Sequence, residues 1–211
     1  MSIVIRGGTV VNADTSVRAD VLCDGGLVRA IGPDIDAPSG ATVVDASGAL
    51  VMPGGIDTHT HMELPFMGTV TMDDFFTGTA AGLSGGTTAI LDFVIPNPKQ
   101  PLMEAFQNWR GWAEKSAGDY GFHVAITDLT DTVMAEIAEL PKIGVTSIKM
   151  FMAYKDSLQV DDLTLFKSMQ VAAKSGVLSL VHAENGDAIE VLTAQAIADN
   201  NSAPIYHALT R

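Results

Sequence analysis

The sequence predicts an α/β fold built on a parallel sheet, preceded by a small β module. Three observations carry this. From about Leu50 the pattern repeats as strand, loop, helix. Five apolar runs have the length and composition of strands buried on both faces. The first fifty residues lack that rhythm and hold short β-type runs broken by glycine.

The module comes first. Ser2–Val11, Asp20–Cys23, Leu27–Ile31 and Ala41–Asp45 read as strands, punctuated by Gly7-Gly8, Gly25-Gly26 and Pro38-Ser39-Gly40. Hairpins that each bury one face are expected over residues 1–50. From 51 to 211 the expected strands are Leu50–Asp57, Thr87–Val94, Phe122–Leu129, Ser147–Met152 and Val177–His182. Helices are expected over about Met72–Leu83, Lys99–Ser116, Asp131–Leu140, Asp162–Lys174 and Asp187–Asn200. Asp161 suits the cap of the fourth, and Gly176 its left-handed end. Asp73 and Asp74 suit the start of the first, where carboxylates meet the positive end of the helix dipole.

Five such units fall short of a (β/α)8 TIM-type barrel, which usually needs roughly 250 residues. The expectation is a chain holding about five of the eight units, with the C-terminal remainder absent. A doubly wound open sheet could be complete at this length, but no G-x-G-x-x-G follows any strand and there is no Walker A motif.

Composition narrows the function classes. The 211 residues are 47% hydrophobic and 18% charged, enough apolar material for a core. A formal charge of −13 argues against nucleic acid and anionic membrane surfaces as partners. One cysteine, Cys23, excludes an internal disulfide framework and a four-cysteine zinc site. No signal peptide or membrane span is read from the sequence, which makes the cytoplasm the expected location.

The chemistry gathers where strands end. Gly54-Gly55-Ile56-Asp57-Thr58-His59-Thr60-His61 closes the first barrel strand. His59 and His61 stand two apart on extended chain and so point the same way. Both imidazoles can then reach one ion at about 2.0–2.1 Å. Lys149 lies near the end of an apolar strand, where burial disfavours the ammonium and an ion-paired core lysine is the plainer alternative. His182 ends another strand, and Tyr154 follows Lys149 by five residues.

Pro53 through His61 resembles the first metal motif of the amidohydrolase superfamily. Leu64-Pro65-Phe66-Met67-Gly68-Thr69 and Asp73-Asp74-Phe75-Phe76-Thr77-Gly78-Thr79 are similar to its dihydropyrimidinase and hydantoinase branch. The resemblance runs along essentially the whole chain. It implies that residues 1–50 form part of a small β-sandwich, completed by C-terminal segments. It implies hydrolysis of the cyclic amide bond of dihydropyrimidines or hydantoins to N-carbamoyl amino acids. It implies two divalent metal ions, most readily zinc, held by His59, His61, His182 and a CO2-derived carbamate on Lys149. Tyr154 would stabilise the developing oxyanion. Asp57 would orient the metal histidines, and Met62, Leu64, Phe66 and Phe151 would gate the ring substituent. A further histidine and a catalytic aspartate would lie beyond residue 211, so the chain alone is expected to be inactive. Small cyclic amides or imides are the expected ligands, and a homotetramer follows by family analogy. Allantoinase or dihydroorotase chemistry, or a non-catalytic collapsin-response-like scaffold, are the alternatives. His123, read as standing at the start of its strand, and His207 are not expected to bind metal.

Overall fold

The computed structural model describes residues 1–66 and 68–211; Met67, inside one of the motifs above, lies outside the described residues. The chain divides into two compact units, Met1–Gly54 and Gly55–Arg211.

The first unit is one five-stranded sheet. β1 (Ser2–Val11) pairs antiparallel with β2 (Ser16–Asp24), which pairs antiparallel with β3 (Leu27–Gly32). β4 (Thr42–Asp45) and β5 (Leu50–Val51) return parallel to β1 rather than as hairpins. The stretch from Pro33 to Ala41 supplies the crossing that parallel pairing needs. Val10, Ala19 and Val21 form its buried cluster. Asp20, between Ala19 and Val21 on β2, is buried on the opposite face, and its carboxylate accepts the backbone N–H groups of Gly7 (2.8 Å) and Ile35 (3.1 Å).

The expected strand Leu50–Asp57 is two strands. β5 belongs to the first sheet, and β6 (Gly55–Thr60) opens the second. Met52, Pro53 and Gly54 break the run, since proline offers no N–H to a ladder. After β6 come two short strands, β7 (Pro65–Phe66) and β8 (Thr69–Val70), paired antiparallel. Alternation then sets in: α1 (Phe75–Ser84), β9 (Thr87–Val94), α2 (Leu102–Ala113), β10 (Asp119–Ala125), α3 (Asp131–Glu139), β11 (Ser147–Phe151), α4 (Asp162–Ser175), β12 (Leu178–His182), α5 (Gly186–Ala198) and a short α6 (Ile205–Leu209).

The second sheet runs β12-β11-β10-β9-β6, with every pair parallel. Spatial order follows chain order without reversal. A doubly wound sheet reverses at a switch point, so this is the winding of a half-barrel instead. Local chemistry sets the helix limits. Asp74 caps α1 by accepting Thr77 N–H (2.7 Å), and Asp161 caps α4 by accepting Thr164 N–H (2.8 Å). Gly176 ends α4 at φ +69°, a left-handed position that glycine takes without a Cβ clash.

Ile90, Val94, Phe122, Val124, Ile148 and Met150 pack the sheet against the helices. The alternate residues face the other way. Because the strands are parallel, their carboxyl ends share one rim, and the sequence-predicted residues lie there. No helix among the described residues is long and apolar enough to cross a membrane.

Candidate metal centre

Phe93 is the floor of the rim. It lies one residue before the end of β9, 2% exposed. Its ring centroid is 4.6 Å from that of His59 and 5.2 Å from that of His61. The two imidazoles are themselves 5.2 Å apart, edge to face. Strand alternation puts His59 and His61 on one side and Thr60 on the other, where it is buried.

Lys149 reaches the same floor from β11. Its Nζ is 5.7 Å from the Phe93 ring centroid and 5.5 Å from that of Phe151. The residue is buried, and burial lowers its pKa. Phe151 carries the cluster onward: its ring lies 5.9 Å from that of His182, its partner on β12. Tyr154, in the loop after β11, sits 5.1 Å from the His182 ring, ring to ring. Its φ of +65° is left-handed, which is uncommon for a bulky side chain. The Tyr154 carbonyl accepts the N–H groups of Ser157, Leu158 and Gln159, and this holds the turn.

Burial, and then the charge of Lys149, hold His59 below the usual histidine pKa. Burial and then His59 do the same to His61. Both are therefore neutral imidazoles near neutral pH, the form that binds metal. Asp57 accepts the backbone N–H of His59 at 3.1 Å. It braces the strand end at the backbone, not through an imidazole nitrogen.

A cavity of about 250 Å³ opens beside His61, walled by Leu64, Phe66, Ile95, Phe151, Tyr154 and Leu158. Three of the four expected gate residues are in that wall. Met62 instead packs with the core beneath α1, filling the space beside Gly78.

His123 lies in the second half of β10, not at the start of its strand, because the strand begins at Asp119 rather than Phe122. Asp119 and Gly121 hid that beginning within a less apolar stretch. Buried, His123 bridges the Ser147 hydroxyl on β11 and the Thr58 carbonyl on β6 (3.0 Å). With both ring nitrogens engaged, it is a structural cross-tie. His207 is exposed on α6, where Nδ1 meets the Arg211 guanidinium at 3.0 Å.

The amidohydrolase family model matches residues 50–207. The chain belongs to the amidohydrolase family. It is 49% identical to the D-hydantoinase of Geobacillus stearothermophilus, covering 100% of this chain and 45% of that protein. It is 47% identical to the dihydropyrimidinase of Rattus norvegicus, over 99% of this chain and 41% of the relative. The crystal structure of a dihydropyrimidinase from Brevibacillus agri superposes with TM-score 0.95 at 50% identity, covering 100% of this chain and 46% of that one. This amidohydrolase chain thus spans less than half the length of the relatives it matches.

The fit of a metal to these residues is tested by their open valences. Nδ1 of His61 is buried without a hydrogen-bond partner, as expected of a nitrogen reserved for a ligand. Nε2 of His182 meets the Glu184 carboxylate at 2.6 Å, the arrangement by which proteins orient metal-binding imidazoles. Among the described residues, no three His, Cys, Asp or Glu side chains form a ready cluster. The candidate donors on these strands are therefore three histidines, His59, His61 and His182, and the Lys149 amine, which would need anionic oxygens to serve two ions. A neutral, buried amine suits that conversion; an ammonium does not.

Sequence reasoning missed Phe93, Ile95, Leu158, Glu184 and Asp92. Phe93, Ile95 and Leu158 are apolar and look like any core residue. Asp92 left a signal: it is the one charged residue inside the apolar run Thr87–Val94. It is fully buried, and burial pushes its pKa up to about 6, while the Met62 N–H and Thr60 hydroxyl pull it down.

Proposed function

We propose that this chain supplies the metal-binding and oxyanion-stabilising part of a cyclic amide hydrolase acting on dihydropyrimidines or hydantoins. The observation that carries the reading is the meeting of His59, His61, Lys149, His182 and Tyr154 around Phe93 and Phe151. Two divalent ions, most readily zinc, would supply Lewis acidity, activating water and polarising the carbonyl. His59 and His61 would hold one ion and His182 the other. The neutral Lys149 amine would add to CO2 and lose a proton, and the resulting anionic carbamate would help to hold both.

The chain's own groups then act on the ring. The cavity beside His61 takes the ring substituent, with Leu64, Phe66 and Phe151 as its gate. The Tyr154 hydroxyl donates a hydrogen bond to the carbonyl oxygen as negative charge grows there, where a preorganised donor counts most. The oxygen of one water bonds to the carbonyl carbon, the C–N bond of the cyclic amide breaks, a proton from that water ends on the departing nitrogen, and an N-carbamoyl amino acid results. Asp57 keeps His59 in place from the backbone.

The half-barrel sheet is read as the first five strands of a (β/α)8 barrel, since β6 and β12 each pair on one side only. Residues 1–50 are read as one layer of a sandwich. Exposed Val28, Ile31 and Val44, on the same face as Val21, suit a second layer. Assembly as a homotetramer and a place in the cytoplasm remain part of this proposal by analogy. The test is a turnover panel with a full-length polypeptide carrying this chain, using dihydrouracil, 5-substituted hydantoins, allantoin and dihydroorotate. Ring opening of the first two supports the reading. Turnover of allantoin or dihydroorotate alone overturns it.

A further inference from the structure

We propose that Asp92 is a positioning residue for the His59/His61 pair, gripping the backbone on both sides of His61 from behind the sheet. The inference rests on the reading that His59 and His61 hold metal. On β9, Asp92 alternates with Phe93, so it points to the helix-packed side with Ile90 and Val94. It is 0% exposed. Its Oδ2 accepts the Thr60 hydroxyl (2.9 Å) and the Met62 backbone N–H (2.8 Å). Those residues flank His61.

The need for such a grip is visible in the ladder. β6 and β9 pair regularly at Asp57 opposite Ile90, then slip, and meet again only at Thr60 opposite Asp92. The metal-binding end of β6 therefore leaves the regular register just where its side chains must be held most closely. Asp92 replaces the missing ladder bonds with two side-chain bonds.

A buried carboxylate is a costly way to fill that space. It persists only where donors compensate it; both hydrogen bonds to its Oδ2 come from the Thr60–Met62 segment, and the Phe93 N–H and the Trp109 indole also favour its charged form. Its neighbours on the same side, Ile90 and Val94, are aliphatic, and an aliphatic residue would pack there at lower cost. What a hydrocarbon cannot do is accept from Thr60 and Met62 at once. Fixing those two residues limits the torsion of His61 between them, and hence the aim of its ring and the spacing to His59. Ligand aim of this kind sets metal affinity: loss of an orienting partner typically costs about 10–100-fold.

The experiment uses the full-length protein and zinc alone, with affinity measured by chelator competition and geometry by the absorption spectrum of the cobalt-substituted form. Asp92→Val removes both acceptor functions while matching its aliphatic neighbours. It should weaken zinc binding about 10–100-fold and shift the cobalt bands. Asp92→Asn keeps an acceptor oxygen and should return affinity to within about threefold of the parent. Thr60→Val removes one donor from the other side and should weaken zinc several-fold, so the test survives if Asp92→Val does not fold. Val94→Ala, on the same side of the same strand, should lower Tm while leaving affinity and spectrum unchanged. Unchanged zinc affinity and cobalt spectrum in both Asp92→Val and Thr60→Val would overturn the proposal. So would a Val94→Ala loss of affinity matching theirs. His61→Ala separates the premise: if it leaves zinc binding intact, the metal reading itself is wrong, whatever Asp92 does.

Discussion

The amine of Lys149 stands 5.5 Å from the ring centroid of Phe151, with the ring of Phe93 at 5.7 Å. Among the described residues it forms no salt bridge. Acidic neighbours would have held it as an ammonium; burial lowers its pKa instead. That environment suits the carbamate formation proposed for Lys149.

Removal of a candidate metal ligand should be severe and selective. His59→Ala and His61→Ala are each expected to reduce bound metal and to lower kcat/KM at least about 100-fold, beyond the effect of losing an orienting partner. Metal analysis of the purified variants, alongside circular dichroism to confirm folding, checks this.

Tyr154→Phe should lower kcat by about 10²–10³-fold while leaving KM nearly unchanged, since the lost hydrogen bond forms as charge develops. The left-handed backbone at Tyr154 is held by bonds to its carbonyl, which the substitution leaves intact. Steady-state kinetics with dihydrouracil distinguishes this from a general loss of structure, which would move both constants.

Leu158→Ala enlarges the cavity beside His61 without touching the imidazole. It should favour bulkier 5-substituents over small ones by about tenfold in relative kcat/KM, the usual scale for a few methylenes in an apolar pocket. Equal effects on small and large hydantoins would count against the gate.

Much of this was legible in the sequence. The His59/His61 pairing, the strand-end place of His182 and the five parallel strands follow from alternation and run length, whereas Lys149, expected near a strand end, is the middle residue of β11. The Asp74 and Asp161 caps follow from side-chain chemistry. What was illegible depends on tertiary context. The start of β10 carries Asp119 and Gly121, so no apolar run marked it. β7 and β8 span two residues each, too short for any period. The parallel return of β4 and β5 is a matter of topology that composition does not encode. Phe93 declares itself only when His59, His61, His123 and Lys149 are seen around it.

Asp92 gives a pH signature in the metal-free protein. Its carboxyl is raised from 3.8 to about 6 in the fold, so the protonated form is the one the fold favours. Its contribution is fully present below the unfolded value of 3.8 and is lost as pH rises through about 6. The shift of about two pKa units corresponds to roughly 3 kcal/mol. Asp92→Asn, which cannot ionise, should match the parent near pH 4 and exceed it in stability near pH 8 by up to that amount. Urea unfolding at the two pH values reads the difference directly; a constant offset at both would remove Asp92 as the source.

The most direct measurement is a crystal structure of the zinc-loaded full-length protein with anomalous data at the zinc edge. Two anomalous peaks are expected, one beside His59 and His61 and one beside His182, with carbamate density on Lys149 between them. Peaks elsewhere, or a free Lys149 amine with zinc bound at full occupancy, would contradict this expectation.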